Sequence, residues 1–422
     1  YAGDAGVPAG GTRRDMNNLA PRFGFAWSPF GQGRTSIRGA YGIFYDVPRF
    51  HELSHFVNSP PYSLQITVNQ PQSFSEPYAG QVNPFPYAPP STQEQRAAYQ
   101  FLRPVTVGLS VDPFFAAPYV QQWNLNVQRE IVPSYVVTVA YVGTKGTRLP
   151  IRRELNPALY RPGATVGNTN ARRIYSPDYA SIISYENVIN STYHALQFTL
   201  NKRFSKGFTL LASYSYSKSI DGMSIDVDGF NGQDPMNMRA DKALSDFDVR
   251  QRLVSSFLWE IPGPENRIAK WVLGGWQANG IFIGEAGSPF TVTSGQDRAL
   301  SGVGTQRPNL TGDPKLDTGR SRDELMALYF DPSKFILPAA GSYGNAGRNL
   351  LVGPGSYNLD FALFKKFAVR ERLLLQYRWE MFNTFNHANL NNPRSNIGAA
   401  RPGQIDTTSG PRIMQMGLRL TF

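Results

Sequence analysis

The chain has 422 residues, 41% apolar and 13% aromatic, with only 17% charged and a formal charge of +11. It has no cysteine, which excludes disulfides and thiolate metal sites, and no run of about 18 apolar residues that could form a membrane-spanning helix. A basic balance can signal nucleic acid, but the Arg and Lys are scattered through a Tyr- and Asn-rich background with no basic stripe, so nucleic-acid binding is not expected.

Read from the start, the dominant period is two, the signature of strands. Eleven strands are expected near 22–28, 34–46, 119–131, 135–143, 192–204, 207–218, 247–260, 271–284, 356–367, 371–383 and 411–422. In Gln122–Glu130, Trp123, Leu125 and Val127 oppose Gln122, Asn124, Asn126, Gln128 and Glu130. In Thr192–Phe204, Leu196, Phe198 and Leu200 oppose Gln197, Thr199, Asn201 and Arg203. Gly207–Lys218 sets Phe208, Leu210, Ala212, Tyr214 and Tyr216 against mainly Ser and Thr. Arg372–Asn383 sets Leu373, Leu375, Tyr377, Trp379 and Met381 against Arg372, Gln376, Arg378 and Glu380. In Arg412–Phe422, Met414, Met416, Leu418, Leu420 and Phe422 share one face, with Gln415, Gly417, Arg419 and Thr421 on the other.

Globular strands average about five or six residues, whereas a tilted membrane strand needs roughly 9–11. These runs match the second length. Short links (Pro29–Gly33, Val132–Ser134, Ser205–Lys206, Ile261–Lys270 and Ala368–Arg370) alternate with long ones near 47–118, 144–191, 219–246, 285–355 and 384–410. Short periplasmic turns alternating with long extracellular loops is the layout of an outer-membrane barrel. Trp27, Phe30, Phe204, Phe208, Trp259, Trp271, Phe364 and Phe367 flank the short turns as an interfacial girdle would. The expected fold is therefore all-β, an antiparallel transmembrane β-barrel. Bacterial single-chain barrels have an even strand number, so eleven strands are expected to be part of a barrel of about 22, with the front of a longer protein missing.

Several stretches resemble the barrel of TonB-dependent outer-membrane receptors, in particular the Oar-like group. They include Asn18–Ser28 (NLAPRFGFAWS), Arg38–Pro48 (RGAYGIFYDVP), Tyr119–Glu130 (YVQQWNLNVQRE), Val139–Arg148 (VAYVGTKGTR), Tyr193–Phe204 (YHALQFTLNKRF), Phe208–Ser219 (FTLLASYSYSKS), Gln233–Val254, Asn358–Phe367 and Glu380–Asn389 (EMFNTFNHAN). The resemblance covers nearly the whole chain and rests on the order and spacing of these stretches. It implies a bacterial outer-membrane receptor that takes up a large solute. Its partners would be outer-membrane lipid, the barrel-assembly machinery reading the C-terminal strand that ends in Phe422, and the TonB complex acting through an N-terminal region and plug not in this chain. A binding or adhesion barrel without energised transport is the alternative. No cofactor is expected, and no enzyme activity.

Other motifs are weighed against blander readings. His51–His55 reads HELSH, the H-E-x-x-H zinc pattern, with Glu76 as a tempting third ligand, but it follows a strand-like run and precedes Pro60 and Pro61, so a chance match in a loop is expected. Loop 219–246 holds Asp221, Asp226, Asp228, Asp234, Asp241 and Asp246 against Arg239 and Lys242, a net −4. Asp226, Asp228 and Asn231 could offer oxygens to calcium, but no EF-hand spacing is completed, and rim salt bridges are the plainer reading. Asp246, Asp248, Arg250 and Arg252 form a charged ladder for the rim or lumen, with cross-strand pairing its simplest role. Lys202, Arg203, Lys206, Arg267, Lys270, Lys365, Lys366, Arg370 and Arg372 gather near the short turns, where a solvated positive rim is expected. His194 and His387 stand apart from any nucleophile arrangement.

Overall fold

The computed structural model describes residues 8, 12–31, 33–47, 59–61, 63, 73–79, 83, 85–101, 103–224, 232–370 and 373–422. Eleven strands form the main path of the large sheet, in chain order: β1 Arg22–Trp27, β2 Thr35–Tyr45, β3 Tyr119–Val132, β4 Tyr135–Glu154, β5 Tyr179–Ser205, β6 Phe208–Asp221, β7 Gln251–Ile261, β8 Trp276–Glu285, β9 Ser356–Arg370, β10 Leu373–Phe382 and β11 Ile413–Thr421. Each pairs antiparallel with the next, so the main sheet is one continuous meander from β1 to β11. Among the described residues β1 and β11 each pair on one side only. The sheet is thus a partial barrel wall.

Side chains alternate across a strand, and paired residues share a face, so the register sorts every residue. One row runs Arg38, Asn126, Ala140, Gln197, Ser215, Arg252, Glu285 and Ser356. Its neighbour runs Ile37, Val127, Val139, Phe198, Tyr214 and Leu253. The first face carries most of the Gln, Asn, Ser and Thr of the strands, together with strand carboxylates such as Glu130, Glu260, Asp360 and Glu380. The second carries Leu, Val, Phe, Tyr and Trp. Among the described residues no protein layer covers this apolar face: Leu125, Phe198, Tyr216, Met416 and Leu418 are 41–73% exposed. The hydrophobic cores lie instead beyond the strands at the long-loop end, in clusters around Phe330, Tyr185 and Ile151. A sheet that leaves one face greasy while burying its cores elsewhere is built to have that face covered by lipid.

Local chemistry sets the turns. The β5–β6 hairpin closes on Lys206 and Gly207 with φ of 51° and 73°, the two left-handed positions of a two-residue turn. A Cβ on Gly207 would also sit 2.9 Å from the Glu260 carbonyl oxygen. On the apolar face, Gly143 pairs with Trp123, and the indole lies flat across the missing side chain, 2.2 Å from where a Cβ would stand.

Four details differ from expectation. β4 continues to Glu154 and β5 starts at Tyr179, so part of 144–191 is paired strand reaching past the membrane span, with register shifts between Gly146 and Pro150. Within 47–118, Val105–Val111 adds in parallel to this extension of β5, and Gln93–Ala98 forms a short helix, α1. The link after β7 holds a seven-residue helix, α2 (Arg267–Leu273), so the following strand begins at Trp276; the apolar Trp271–Leu273 run reads equally as strand or helix at that length. The positive rim is not wholly solvated: Lys202 and Lys365 are 4% and 1% exposed. Lys202 Nζ donates to the carbonyls of Arg203, Ser205 and Phe208, and Lys365 Nζ to those of Trp271 and Gly274, so each ammonium closes the end of a neighbouring turn.

Phe198→Arg, on the apolar face at mid-strand, should destabilise the folded barrel by about 2–4 kcal/mol, while Thr199→Arg on the polar face should fold normally. Urea unfolding in lipid vesicles reads this; equal effects at both sites would contradict the face assignment.

Candidate functional site: the welded long-loop end

Above the sheet the long loops form one packed body. Within 285–355, Pro289–Phe290 pairs with Leu351–Val352, and Asn309–Leu310 with Phe335–Ile336. Ser321 and Glu324 cap a helix, α3 (Arg322–Ala327), by reciprocal side-chain to backbone bonds. Phe290, Val292, Tyr329, Phe330, Phe335, Ala346 and Leu351 then close around a common core, which Ile405 from 384–410 completes. The two loops also exchange backbone bonds, Thr293 N to Ser395 O and Ile397 N to Thr293 O, both 2.9 Å.

Two buried arginines fasten this body to loop 219–246. Arg307, 2% exposed, meets Asp241, 0% exposed, at 2.5 Å. Its Nε donates to the Ala346 carbonyl at 2.7 Å, and Gln233 bridges the pair by donating to Asp241 and accepting from Arg307 N. Arg348 contacts the carboxylates of Asp221 and, at 3.0 Å, Asp246, and its Nε donates to the Asp241 carbonyl at 2.8 Å. A guanidinium presents five fixed donors, so each arginine can tie several segments at once. Loop 144–191 joins through Arg172, whose Nη2 donates to the Leu300 carbonyl at 2.8 Å, while Arg173 braces the loop from within by pairing with Glu154 at 3.2 Å. Ala158 N to Ser301 O, 2.9 Å, seals the same seam.

Asp246 is held by Arg348 and by the Asn349 amide at 2.5 Å. Asp248 accepts from Ser219 N at 2.6 Å and faces Arg250 at 3.4 Å. Arg252 faces its register partner Glu285 at 3.5 Å. These four residues therefore lie along one rim but do not converge on a common point. Met414, Met416, Leu418 and Leu420 pair with Met381, Trp379, Tyr377 and Leu375, and Phe422 is 95% exposed just past β11. His51–His55 lies outside the described residues, as do Asp226, Asp228 and Asn231. Glu76 is exposed. Among the described residues no three His, Asp or Glu side chains are grouped to hold a metal. His194 and His387 each stack on a tyrosine, Tyr141 and Tyr357, and hydrogen-bond its hydroxyl at 2.8 and 3.0 Å.

Arg172, Arg173, Arg307 and Arg348 were not singled out from the sequence. The signal that could have found Arg307 and Arg348 is the net −4 of loop 219–246 inside a basic protein, which calls for cations from elsewhere in the fold; no such signal marks Arg172 and Arg173, whose partners lie in other loops. Nearby, burial pushes the Tyr343 phenol up to about 12, with Asp234 and Asp297 adding in the same direction. The polar sheet face below, lined by Gln, Asn, Ser and Thr, offers a wetted wall rather than a reaction centre.

A single antiparallel meander with an uncovered apolar face and a polar inner face defines an outer-membrane barrel wall. Residues 1–415 match the family described as outer membrane beta barrel domain, and the chain belongs to that family. It is a protein of the bacterial outer membrane. No curated protein matches it by sequence. Among solved structures it is similar in fold to the outer membrane transporter YddB from Escherichia coli, with TM-score 0.53 and 10% identity over 96% of this chain and 40% of that one. Weaker likeness extends to the siderophore receptor PiuA from Acinetobacter baumannii (TM-score 0.43, 8% identity, 94% and 35% covered). It extends also to the ferripyoverdine receptor of Pseudomonas aeruginosa (0.44, 9%, 97% and 34%). The chain thus spans well under half the length of these relatives.

Asp241→Ala should leave Arg307 buried without its counter-charge and loosen the loop body by about 3–5 kcal/mol. Limited proteolysis should then cut within 285–355 while the strands stay intact. Tyr343 titrates higher in the fold than its ordinary value of 10, so the stability it adds is complete below pH 10 and lost as pH rises toward 12. Burial also raises Tyr329, so phenolate absorbance should show a late-titrating component that Tyr343→Phe reduces.

Proposed function

We propose that the chain is the wall and outer mouth of a receptor that carries a large solute across the outer membrane, energised through TonB in the full-length protein. The observation that supports this is the pairing of a continuous polar inner face with a rigid loop body over one end of it. A wetted wall suits passage of a hydrated solute, and welded loops suit a preformed recognition surface, which binds with less ordering cost than mobile ones. In this reading the long loops are extracellular and the short turns periplasmic. The polar ladder from Asp246 to Arg252 marks the upper rim of the path, and Met414 to Phe422 is the strand offered to the assembly machinery.

A binding or adhesion barrel is the second reading. It is favoured by exposed Leu159, Tyr160, Val166, Ile174 and Tyr175 on loop 144–191, which lie 40–68% open.

The chain lacks cysteine, so single cysteines report topology cleanly. On intact cells, Asp317→Cys in the loop body should react with a membrane-impermeant maleimide and Glu265→Cys at the short-turn end should not. Deleting the gene should impair growth on a limiting nutrient in cells with functional TonB and add nothing in cells without it. A deletion defect of equal size in both backgrounds, seen as lost surface attachment, would favour adhesion instead.

A further inference from the structure

We infer that the lipid side of β3–β6, at the long-loop end, carries a binding site for the phosphorylated headgroup of a glycolipid. The register sets the geometry. On the apolar face one row across these four strands is Gln121, Lys145, Thr192 and Ile220; the next toward the short turns is Trp123, Gly143, His194 and Lys218; then follow Leu125, Tyr141, Leu196 and Tyr216, and below them Val127, Val139, Phe198 and Tyr214. The surface therefore changes from wholly apolar to cationic over two row steps, about 14 Å along the strands.

Charge on this face has one sign. Every carboxylate of β3 and β6, Glu130 and Asp221, falls on the opposite face by the same register. Lys145 and Lys218 are exposed, and among the described residues neither ammonium is drawn into an ion pair. They flank β5 on either side, offset by two residues, which places their Cα atoms roughly 12 Å apart by strand spacing and rise. Two phosphates on one disaccharide, or one phosphate and its neighbouring sugars, can be straddled at that separation.

Level with Lys218 and one row beneath Lys145 lies an aromatic shelf. Trp123 is settled over Gly143, its ring centre 6.0 Å from that of His194, and His194 is pinned by the Tyr141 hydroxyl at 2.8 Å. Rings of this kind favour the level of the headgroups, and the Val127–Phe198 row below them would meet acyl chains. A free phosphate would find only two exposed lysines here. A lipid finds the lysines, the shelf and the greasy wall in sequence. The inference rests on the proposed orientation, which makes this the outer leaflet.

The test uses the intact protein, extracted from outer membranes in mild detergent and followed by native mass spectrometry. Probes are bis-phosphorylated lipid A, its dephosphorylated form, phosphatidylglycerol and inorganic phosphate. Lys145→Gln and Lys218→Gln should each weaken bis-phosphorylated lipid A about fivefold, the equivalent of ~1 kcal/mol per basic residue near a membrane surface. The double variant should lose all preference over the dephosphorylated form. Arg129→Gln, on the same face near the short turns, should change nothing. Retained preference in the double variant, displacement of the lipid by inorganic phosphate, or an equal effect of Arg129→Gln would each overturn the site. Equal binding of phosphatidylglycerol, lost in the double variant, would keep an anionic-lipid site but refute the glycolipid assignment; joined with reversed cysteine labelling, it would trace the failure to the orientation.

Discussion

Each strand of this molecule separates two solvents. In hydrocarbon a backbone N–H or C=O without a partner costs several kcal/mol, so the strands must satisfy one another along their whole length. The side chains then have no freedom about where to point: alternate residues face lipid or the interior. That constraint explains why a chain of ordinary apolar content keeps its hydrophobic clusters at the long-loop end, and why strand aromatics such as Phe198 and Tyr216 can stand uncovered on one face. It explains also why single glycines under Trp123 and the tight Lys206–Gly207 turn matter, since they let neighbouring strands keep register without gaps.

Beyond the strands the rules change to those of a soluble protein. The long loops bury Phe330, Val292 and Ile405 almost completely and fix their placement with arginines. A buried ion pair adds little stability compared with apolar packing, but breaking one is costly, so such pairs act well as locators. Arg307 and Arg348 draw together segments that are 60 to more than 120 residues apart in the chain, as the Arg307–Asp241 and Arg348–Asp221 bonds show by separations of 66 and 127. The result is a stiff loop body on a wall whose own stability comes from lipid.

Much of this was legible in the sequence because period-two alternation is enforced at every residue of a membrane strand. All eleven expected strands occur, in the expected neighbour order, and β11 pairs so that Met414, Met416, Leu418 and Leu420 share the aromatic and aliphatic face of β10. What was not legible lies outside the bilayer, where no such enforcement acts. The extensions of β4 and β5 break register near Pro150, which hides their alternation. The helix at Arg267–Leu273 is too short for its period to differ from a strand's. The arginine anchors sit in Gly- and Asn-rich loops, and only contacts distant in sequence give them their role. Lys202 and Lys365 read as solvated because a sequence does not show that their stems lie on the apolar side and their heads reach turn carbonyls.

The separation of two solvents can be measured residue by residue along β5. Nitroxide labels placed singly from His194 to Asn201 in the intact protein, reconstituted in lipid, report collisions with oxygen, which concentrates in hydrocarbon, and with a water-soluble nickel chelate. Labels at 194, 196, 198 and 200 should collide chiefly with oxygen and those at 195, 197, 199 and 201 with the chelate, in strict alternation. Uniform accessibility along the strand, or a helical period in its place, would contradict the membrane-spanning wall.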